Sequence, residues 1–153
     1  MSDERELVVD RVLRAPRASV WRCWTEPELL KQWFCPKPWF VSEVRSDLRP
    51  GGEFFTRMNG PNGESHGSPG VWLEVTEGRR LVMTDAFMPD WQPKPDPFMV
   101  AIVEFPDAGA GSTGYRWMAR HWTGAAKRQH EEMGFHTGWN AATDQLEALA
   151  KTL

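Results

Sequence analysis

The histidines are the residues best suited to metal binding or proton transfer, and their spacing argues against a metal site. The chain has four of them: His66, His121, His130 and His136. A zinc-binding helix of the hydrolase type carries two histidines four residues apart on one face. His130 and His136 are six residues apart, which is about 240° around an ideal helix, so their side chains would point in different directions. The sequence therefore predicts no metal and no cofactor.

Asp85 is the carboxylate most suited to acid–base chemistry. It lies in an apolar segment where strand alternation would place Leu81, Met83, Asp85 and Phe87 on one face. If this face is buried, Asp85 is a candidate acid, base or ligand anchor; otherwise it ends the strand and bonds a nearby arginine or turn. Asp85 and His121 are the candidate catalytic residues, although the sequence does not place them together.

The two cysteines, Cys23 and Cys35, are most simply interpreted as a core thiol and a loop thiol. A nucleophilic cysteine needs a base and an orienting partner, and the sequence shows no such pairing. It also contains no serine-protease-like signature, no phosphate-binding glycine loop and no dinucleotide fingerprint. The pattern of reactive residues indicates no particular reaction, and it does not decide whether the chain is an enzyme.

Aromatic residues are unusually abundant, with 9 Trp and 8 Phe but only 1 Tyr. Each such ring can bury about 150–250 Å², which together exceeds what a plain core of this length needs. In the last predicted strand, Tyr115, Trp117, Ala119 and His121 share the more apolar face. Tyr115 and His121 would then be polar tips on an apolar wall, as in a ligand pocket; the alternative is that both are hydrogen-bonded core residues.

These aromatic residues predict a site for a small apolar or aromatic ligand. Trp91 lies among four prolines in segment 88–97, and we predict that this loop closes over the ligand as a lid. The alternative is that the loop packs its own tryptophan against the sheet edge. The predicted ligand-binding residues are Trp33, Phe87, Trp91, Met99, Tyr115, Trp117, His121, Phe135 and Trp139.

Length and charge narrow the class of protein. The 153 residues fit a single domain, 1–153, and the formal net charge of −3 without a basic run argues against nucleic acid as a partner. The polar N-terminus, 1–7, is unlike a signal peptide, and no apolar stretch approaches the roughly 20 residues of a membrane span. Two cysteines do not form a disulfide framework. We expect a cytoplasmic protein without membrane contact. The sequence does not decide whether the protein forms a homodimer.

The order of predicted elements is one strand, two short helices, a run of strands and a helical C-terminus. Thr25 and Glu28 form a potential capping box, which predicts that the first helix ends at Trp24 and a second runs to Phe34. Tight turns join the later strands and predict an antiparallel sheet. The predicted strands are 6–14, 40–48, 53–58, 66–76, 80–87, 98–105 and 113–122.

An apolar stripe marks the C-terminal helix. Phe135, Trp139, Ala142, Leu146 and Leu149 recur at intervals of three and four residues, so they lie on one face. A shorter helix over 124–133, capped by Thr123, is predicted to precede it. One face of the sheet must be covered, and the long helix is the obvious cover.

Short motifs spread over nearly the whole chain have an order and spacing typical of one superfamily. They are Ala15-Pro16-Arg17, Val20-Trp21, Trp24-Thr25, Leu30-Lys31-Gln32-Trp33, Asp47-Leu48-Arg49-Pro50-Gly51-Gly52, Thr84-Asp85-Ala86-Phe87, Gly134-Phe135 and Gly138-Trp139-Asn140. Together they resemble the START-like (SRPBCC) superfamily, which includes polyketide cyclase-like proteins. The most similar branch resembles the C-terminal domain of the heat-shock-protein-90 ATPase activator. The chain has Cys35-Pro36 where that family often has Gly-Pro.

This resemblance implies an α+β helix-grip fold. A curved antiparallel sheet of six to seven strands would wrap around the long C-terminal helix, with two short helices after the first strand and a cavity between sheet and helix. The resemblance does not imply one activity, since members bind lipids or hormones, cyclise polyketides or regulate chaperones. We therefore favour a binding protein for a small apolar or aromatic ligand. The alternatives are a cyclase-like enzyme using the same cavity and a chaperone-regulating module using the charged cluster Lys127, Arg128, Glu131 and Glu132.

Overall fold

The computed structural model describes residues 4–153, and part of the polar N-terminal segment discussed above lies outside this range. The helices are α1 (Arg17–Thr25), α2 (Pro27–Leu30), α3 (Gly124–Glu132) and α4 (Phe135–Ala150), with a 3-10 turn at Pro89–Trp91. The strands are β1 (Glu6–Leu13), β2 (Phe40–Ser46), β3 (Phe54–Asn59), β4 (Ser65–Ser68), β5 (Val71–Thr76), β6 (Arg80–Thr84), β7 (Phe87–Met88), β8 (Gln92–Pro93), β9 (Val100–Glu104) and β10 (Thr113–Arg120).

The strands form two main antiparallel sheets that continue into one another. One sheet has the order β1-β10-β9-β6-β5 and the other β2-β3-β4, while β7 and β8 form a separate two-stranded ribbon. Backbone hydrogen bonds from Phe54 to Gly70 (3.0 Å) and from Trp72 to Gly52 (2.9 Å) connect the sheets. The curved sheet and the long C-terminal helix confirm the predicted α+β helix-grip architecture.

The predicted strand 66–76 is two strands, because the chain leaves one sheet for the other at Pro69 and Gly70. Proline cannot donate to a strand ladder, and a side chain at position 70 would not fit. A Cβ built on Gly70 would lie 2.4 Å from the backbone oxygen of Thr84. The predicted strand 80–87 also breaks, since β6 ends at Thr84 and Phe87 belongs to the ribbon.

The predicted capping box at Thr25 is wrong. Thr25 is the last residue of α1, and its hydroxyl donates to the backbone oxygen of Trp21 (2.8 Å). Glu26 precedes α2, which begins with Pro27, a residue favoured at the first helical position. The helix ends at Leu30 rather than Phe34. The predicted cap of α3 is present, because the Thr123 side chain accepts a hydrogen bond from the Ala126 backbone (3.0 Å).

The core lies between the sheet and the helices α1 and α4. The α4 stripe is oriented as predicted, with Ala142 and Leu146 fully buried and Trp139 half-buried. Three tryptophans that do not border the cavity described below, Trp24, Trp33 and Trp72, are among the largest fully buried side chains. Many of the aromatic residues counted in the sequence therefore fill this core rather than line a cavity.

None of the helices in residues 4–153 is long and apolar enough to cross a membrane. Within the same residues, His, Cys, Asp and Glu side chains form no group of three or more that could hold a metal ion.

Candidate functional site

A cavity of about 260 Å³ lies between the sheet and the N-terminal half of α4. Its walls come from β3, β6, β9, β10 and α4, together with the bend at Ser68–Gly70 and the loop that follows β6. Side chains from both sheets therefore meet the helix here, at the place where the two sheets join. The apolar part of the wall includes Phe34, Phe54, Met83, Met99, Trp117 and Trp139.

Trp117 borders this cavity and also carries a buried polar group. Its side chain is 2% exposed, and its ring stacks on Trp139 with centroids 4.6 Å apart. The Nε1–H of Trp117 has no hydrogen-bond acceptor among the described residues. A buried donor without a partner is unfavourable by about 1–3 kcal/mol. Because this N–H has almost no accessible surface, Trp117 borders the cavity with other atoms of its ring.

Asp85 also borders the cavity, but its carboxylate is already hydrogen-bonded. Both of its oxygens accept from the backbone N–H of Phe98 at 2.9 Å, and one accepts from Met99 at 3.1 Å. These bonds join the end of β6 to the end of the following loop. Asp85 thus matches the second interpretation from the sequence, in which it bonds a nearby turn, and it holds the cavity-lining residues Phe98 and Met99 in place.

His121 does not line the cavity and instead pairs with His130. The Nε2 atom of His121 lies 2.9 Å from Nδ1 of His130, and Nδ1 of His121 lies 2.9 Å from the backbone oxygen of Arg5. Because a carbonyl oxygen only accepts, Nδ1 of His121 carries a proton. Phe98 packs edge-on against His121, with ring centroids 5.5 Å apart, and separates the pair from the cavity.

The electrostatics of this pair favour a neutral His130. Burial, which disfavours the charged form, and to a smaller extent the nearby His121 together lower the pKa of His130 to about 4. The structure does not bring the predicted catalytic residues Asp85 and His121 together as a pair. Each residue is bonded to different partners, Asp85 to a loop and His121 to His130 and Arg5.

Two other predicted ligand-binding residues, Tyr115 and Trp33, are core residues. The hydroxyl of Tyr115 accepts a hydrogen bond from Nε1 of Trp24 (3.2 Å), and burial raises the pKa of Tyr115 far above its usual range. The Nε1–H of Trp33 donates to the backbone oxygen of Cys23 (2.9 Å). Both side chains are fully buried. Neither borders the cavity, because α1 and α2 cover this end of the sheet.

Phe135 borders a smaller groove beside the cavity. Its ring packs on Trp117, with centroids 5.3 Å apart, and on His130, at 5.0 Å. The groove has a volume of about 160 Å³ and shares Phe34, Met58 and Trp139 with the cavity. Phe135 thus supports the cavity wall from behind.

Phe87 and Trp91 pack against each other in the β7–β8 ribbon, with ring centroids 5.6 Å apart. Trp91 is 51% exposed and lies over Gly51, where an added Cβ would be 2.9 Å from the indole ring. It borders a surface groove with Asp47 and Arg49 rather than the cavity. The loop thus packs its tryptophan against the sheet edge, which was the alternative to a lid.

Several cavity residues were missed by sequence reasoning. Thr56 alternates with Phe54 and Met58 along β3, and this period-two pattern could have identified it. Lys94 and Phe98 reach the wall through the fold of the loop after β6, for which the sequence carries no local signal. His130 was considered only for metal binding, and no spacing rule relates it to His121.

The two cysteines are buried rather than reactive. Burial raises the pKa of Cys23 and of Cys35 to about 11 in each case. Cys35, expected to be a loop thiol, is only 6% exposed, and its backbone oxygen accepts from Nε2 of Gln145 on α4 (2.8 Å). A thiol with so high a pKa is a poor nucleophile at neutral pH.

Comparison with known proteins identifies the family. The chain matches the family model described as Activator of Hsp90 ATPase homolog 1-like protein over residues 14–151. No curated protein matches the chain. The crystal structure of protein NE0264 from Nitrosomonas europaea is 44% identical, with 99% of this chain and 97% of that chain covered and a TM-score of 0.94.

Two further structures are less similar in sequence. Protein Ms6760 from Mycobacterium smegmatis is 26% identical, with 96% of this chain and 91% of that chain covered and a TM-score of 0.80. An AHSA1-like protein from Aeromonas hydrophila shares the fold, with 19% identity, coverage of 96% and 92%, and a TM-score of 0.71. The chain belongs to the family of Activator of Hsp90 ATPase homolog 1-like proteins, in agreement with its START-like fold.

Proposed function

We propose that this protein binds a small, largely apolar or aromatic molecule in the cavity between the sheet and α4. The observation that carries the proposal is the cavity itself, about 260 Å³ in volume with a mainly apolar wall. Close-packed protein interiors contain few voids larger than a water molecule. This space is open to solvent at Gly67 and Ser68 but extends to buried side chains such as Phe54 and Trp117, and a partly open pocket of this kind supports a binding role.

The size of the cavity indicates the size of the ligand. A dry apolar cavity of about 150 Å³ can bind benzene, and ligand pockets commonly measure roughly 300–1,000 Å³. A volume of about 260 Å³ is suited to one or two fused rings, or a short alkyl chain. Removal of apolar area from water contributes about 25 cal/mol per Å², and the aromatic side chains of Phe34, Phe54 and Trp139 on the wall can pack against an aromatic ligand.

The cyclase-like alternative has less support from the site. Acid–base catalysis in the cavity would need titratable groups that converge on a bound molecule. Of the proposed pair, Asp85 is engaged by two backbone N–H groups, and His121 is separated from the cavity by Phe98. We therefore propose binding rather than turnover, since a shared fold does not determine an activity.

The family description supports the chaperone-regulating alternative, which would use a protein-binding surface. The exposed side of α3 carries the predicted charged cluster, in which Lys127 and Glu131 form an ion pair (3.3 Å). Glu131 also lies 3.4 Å from Nε2 of His136. Surface ion pairs of this kind are common and weak. Adding the protein to Hsp90 tests this alternative, and we expect no increase in the rate of ATP hydrolysis.

Filling the cavity tests the proposed function. Ala101 on β9 is 1% exposed and borders the cavity, so Ala101→Leu places extra carbon atoms inside it. Ala148 lies exposed on α4, and Ala148→Leu is the matched control. Binding of 2-methylnaphthalene would be followed by quenching of tryptophan fluorescence and by the rise in melting temperature that a ligand of the folded state causes.

We expect the wild type and Ala148→Leu to bind 2-methylnaphthalene with the same affinity. Ala101→Leu should bind it at least about tenfold more weakly, which corresponds to roughly 1.4 kcal/mol, while remaining folded. Equal binding by all three proteins would place the probe elsewhere on the molecule and would contradict the proposal. Failure of the wild type to bind would contradict it as well.

A further inference from the structure

We infer that the polar group of the ligand is a hydroxyl, bound by the facing side chains of Thr56 and Ser68 on the cavity wall. This inference rests on the proposed binding function and adds the chemical class of the ligand, an uncharged aromatic molecule that carries a hydroxyl group. The sequence indicated Tyr115 and His121 as the polar tips of the site, but in the structure neither of them borders the cavity.

The position of Thr56 in β3 turns its side chain toward the cavity. Phe54, Thr56 and Met58 alternate along the strand, and all three border the cavity. The residues between them lie on the opposite face of the sheet, where the guanidinium group of Arg57 is 5.5 Å from the ring centroid of Phe55. A polar residue therefore stands between two apolar ones on the inner face of β3.

Ser68 lies directly opposite Thr56 in the antiparallel register of β3 and β4. Opposite residues of two such strands carry their side chains on the same face of the sheet, with Cβ atoms about 4.5–5.5 Å apart. Both residues border the cavity, where Thr56 is 2% exposed and Ser68 lies exposed at the opening. The two hydroxyls thus form a polar pair beside the opening of an otherwise mainly apolar space.

The hydroxyls of Thr56 and Ser68 are not used by the protein. Neither has a hydrogen-bond partner within residues 4–153, whereas the Thr84 hydroxyl on the same wall donates to the backbone oxygen of Met99 (2.9 Å). The Thr56 oxygen also keeps accessible surface, unlike Nε1 of Trp117. Buried polar side chains are usually hydrogen-bonded, and valine would fill the same space. The Thr56 hydroxyl is therefore available to a bound molecule.

A hydroxyl group on the ligand matches this pair. Each side-chain hydroxyl can donate one hydrogen bond and accept others. A ligand hydroxyl between them accepts from one and donates to the other, whereas an ether or carbonyl oxygen only accepts and a hydrocarbon does neither. Asp85 and Lys94 add one negative and one positive charge to the cavity wall, so the wall has no net formal charge and favours an uncharged ligand.

Two size-matched pairs of probes isolate the polar group, with affinities measured by equilibrium dialysis. They are 2-naphthol against 2-methylnaphthalene, and 2-methoxynaphthalene, which only accepts, against 2-ethylnaphthalene. In a wholly apolar cavity, 2-naphthol would bind on the order of tenfold more weakly than 2-methylnaphthalene, because a buried hydroxyl without a partner is unfavourable. We expect the wild type to bind 2-naphthol at least as tightly as 2-methylnaphthalene, and 2-methoxynaphthalene more weakly than 2-ethylnaphthalene.

Substitutions assign the preference to residues. Thr56→Val removes a hydroxyl that has no protein partner, so we expect the variant to keep its stability. It should bind 2-naphthol about two- to tenfold more weakly, the range of a neutral hydrogen bond, and 2-methylnaphthalene as tightly as the wild type. Ser68→Ala should have a smaller effect in the same direction, because water reaches this position. Thr76→Val, at the exposed end of β5, is the matched control and should change no affinity.

The outcomes distinguish this inference from the proposed function. If Thr56→Val weakens the binding of 2-naphthol and 2-methylnaphthalene equally, or of neither, the cavity binds ligands but the hydroxyl assignment is overturned. It is also overturned if 2-methoxynaphthalene loses as much affinity as 2-naphthol, since an acceptor would then suffice. If the wild type binds none of the four probes, the proposed function itself fails. Ser68→Ala changes an exposed residue, so it decides the question even if Thr56→Val does not fold.

Discussion

His121 and His130 share a buried hydrogen bond, with 2.9 Å between Nε2 of His121 and Nδ1 of His130. The bond connects the end of β10 to α3, and Nδ1 of His121 extends it to the backbone oxygen of Arg5 (2.9 Å). The segment at Arg5, distant in sequence, is thereby fixed to the end of β10 and to α3. Phe98 and Phe135 pack against His130, with ring centroids 4.7 and 5.0 Å away, so the histidine pair lies beside the cavity wall.

The histidine pair predicts that the protein loses stability at acidic pH. The pKa of His130 is about 4 in the folded protein, against about 6.5 for an unperturbed histidine. Between these values the unfolded chain binds the proton and the folded one does not. The stability that this lowered pKa contributes is therefore fully present above pH 6.5 and is lost as the pH falls toward 4. The resulting decrease in the free energy of unfolding is at most about 3 kcal/mol.

Urea unfolding at a series of pH values measures this loss. His130→Gln removes the titrating group and should show a shallower fall in the free energy of unfolding between pH 6.5 and 4 than the wild type. His136→Gln, on the exposed side of α4, is the matched control and should keep the wild-type slope. An unchanged slope in His130→Gln would show that other groups cause the acid sensitivity.

The Asp85 carboxylate is predicted to maintain the loop that borders the cavity. Asp85→Ala would leave the backbone N–H groups of Phe98 and Met99 without their acceptor, and we expect a loss of about 1–3 kcal/mol in the free energy of unfolding. Asp85→Asn retains one acceptor oxygen and should lose less. Hydrogen exchange of these two amides should quicken in the order wild type, Asn, Ala, and equal protection in all three would refute the role.

Because two leucines of the α4 stripe are buried to different extents, we predict that replacing them by alanine lowers the free energy of unfolding by different amounts. Leu146 is fully buried and Leu149 only half-buried. Leu146→Ala should therefore reduce the free energy of unfolding by about 2–5 kcal/mol, the range for leucine truncation in a core, and Leu149→Ala should reduce it by clearly less. Urea titration of both variants checks this. Similar losses would mean that α4 is rotated from the orientation described.

The cysteines are predicted to react only when the protein unfolds. Both are buried, and burial raises the pKa of each to about 11. At pH 8 the thiolate fraction is then very small. Mass spectrometry after iodoacetamide treatment should show an unmodified native protein and two alkylations in urea. Rapid single alkylation of the native protein would show that one thiol is accessible.

Much of the fold was predictable from local signals in the sequence. The stripe from Phe135 to Leu149 and the cap at Thr123 gave the two C-terminal helices. The capping box at Thr25 was mispredicted because a threonine can either cap the next helix or bond back to its own helix. Here Thr25 bonds back to Trp21, and α2 begins two residues later, at Pro27. The break at Gly70 depends on contact with Thr84, which is distant in sequence.

The site was less predictable than the fold. Strand alternation indicates which face of the sheet a side chain occupies, but not which side chains of other elements it contacts. Tyr115 and Trp117 lie on the same face of β10, yet Tyr115 is covered by Trp24 of α1 and Trp117 borders the cavity beside Trp139. Lys94 reaches the cavity only because Asp85 and Ala86 fix the loop. Such positions depend on long-range contacts that a single sequence does not encode in its local pattern.

The most direct test of the binding cavity is a crystal structure of the protein with 2-bromonaphthalene, in which anomalous scattering locates the bromine atom. We predict one strong bromine peak inside the cavity, among Met83, Met99 and Trp117. Bromine found only on the outer surface, or an empty cavity in crystals of a protein that binds the compound in solution, would contradict the account.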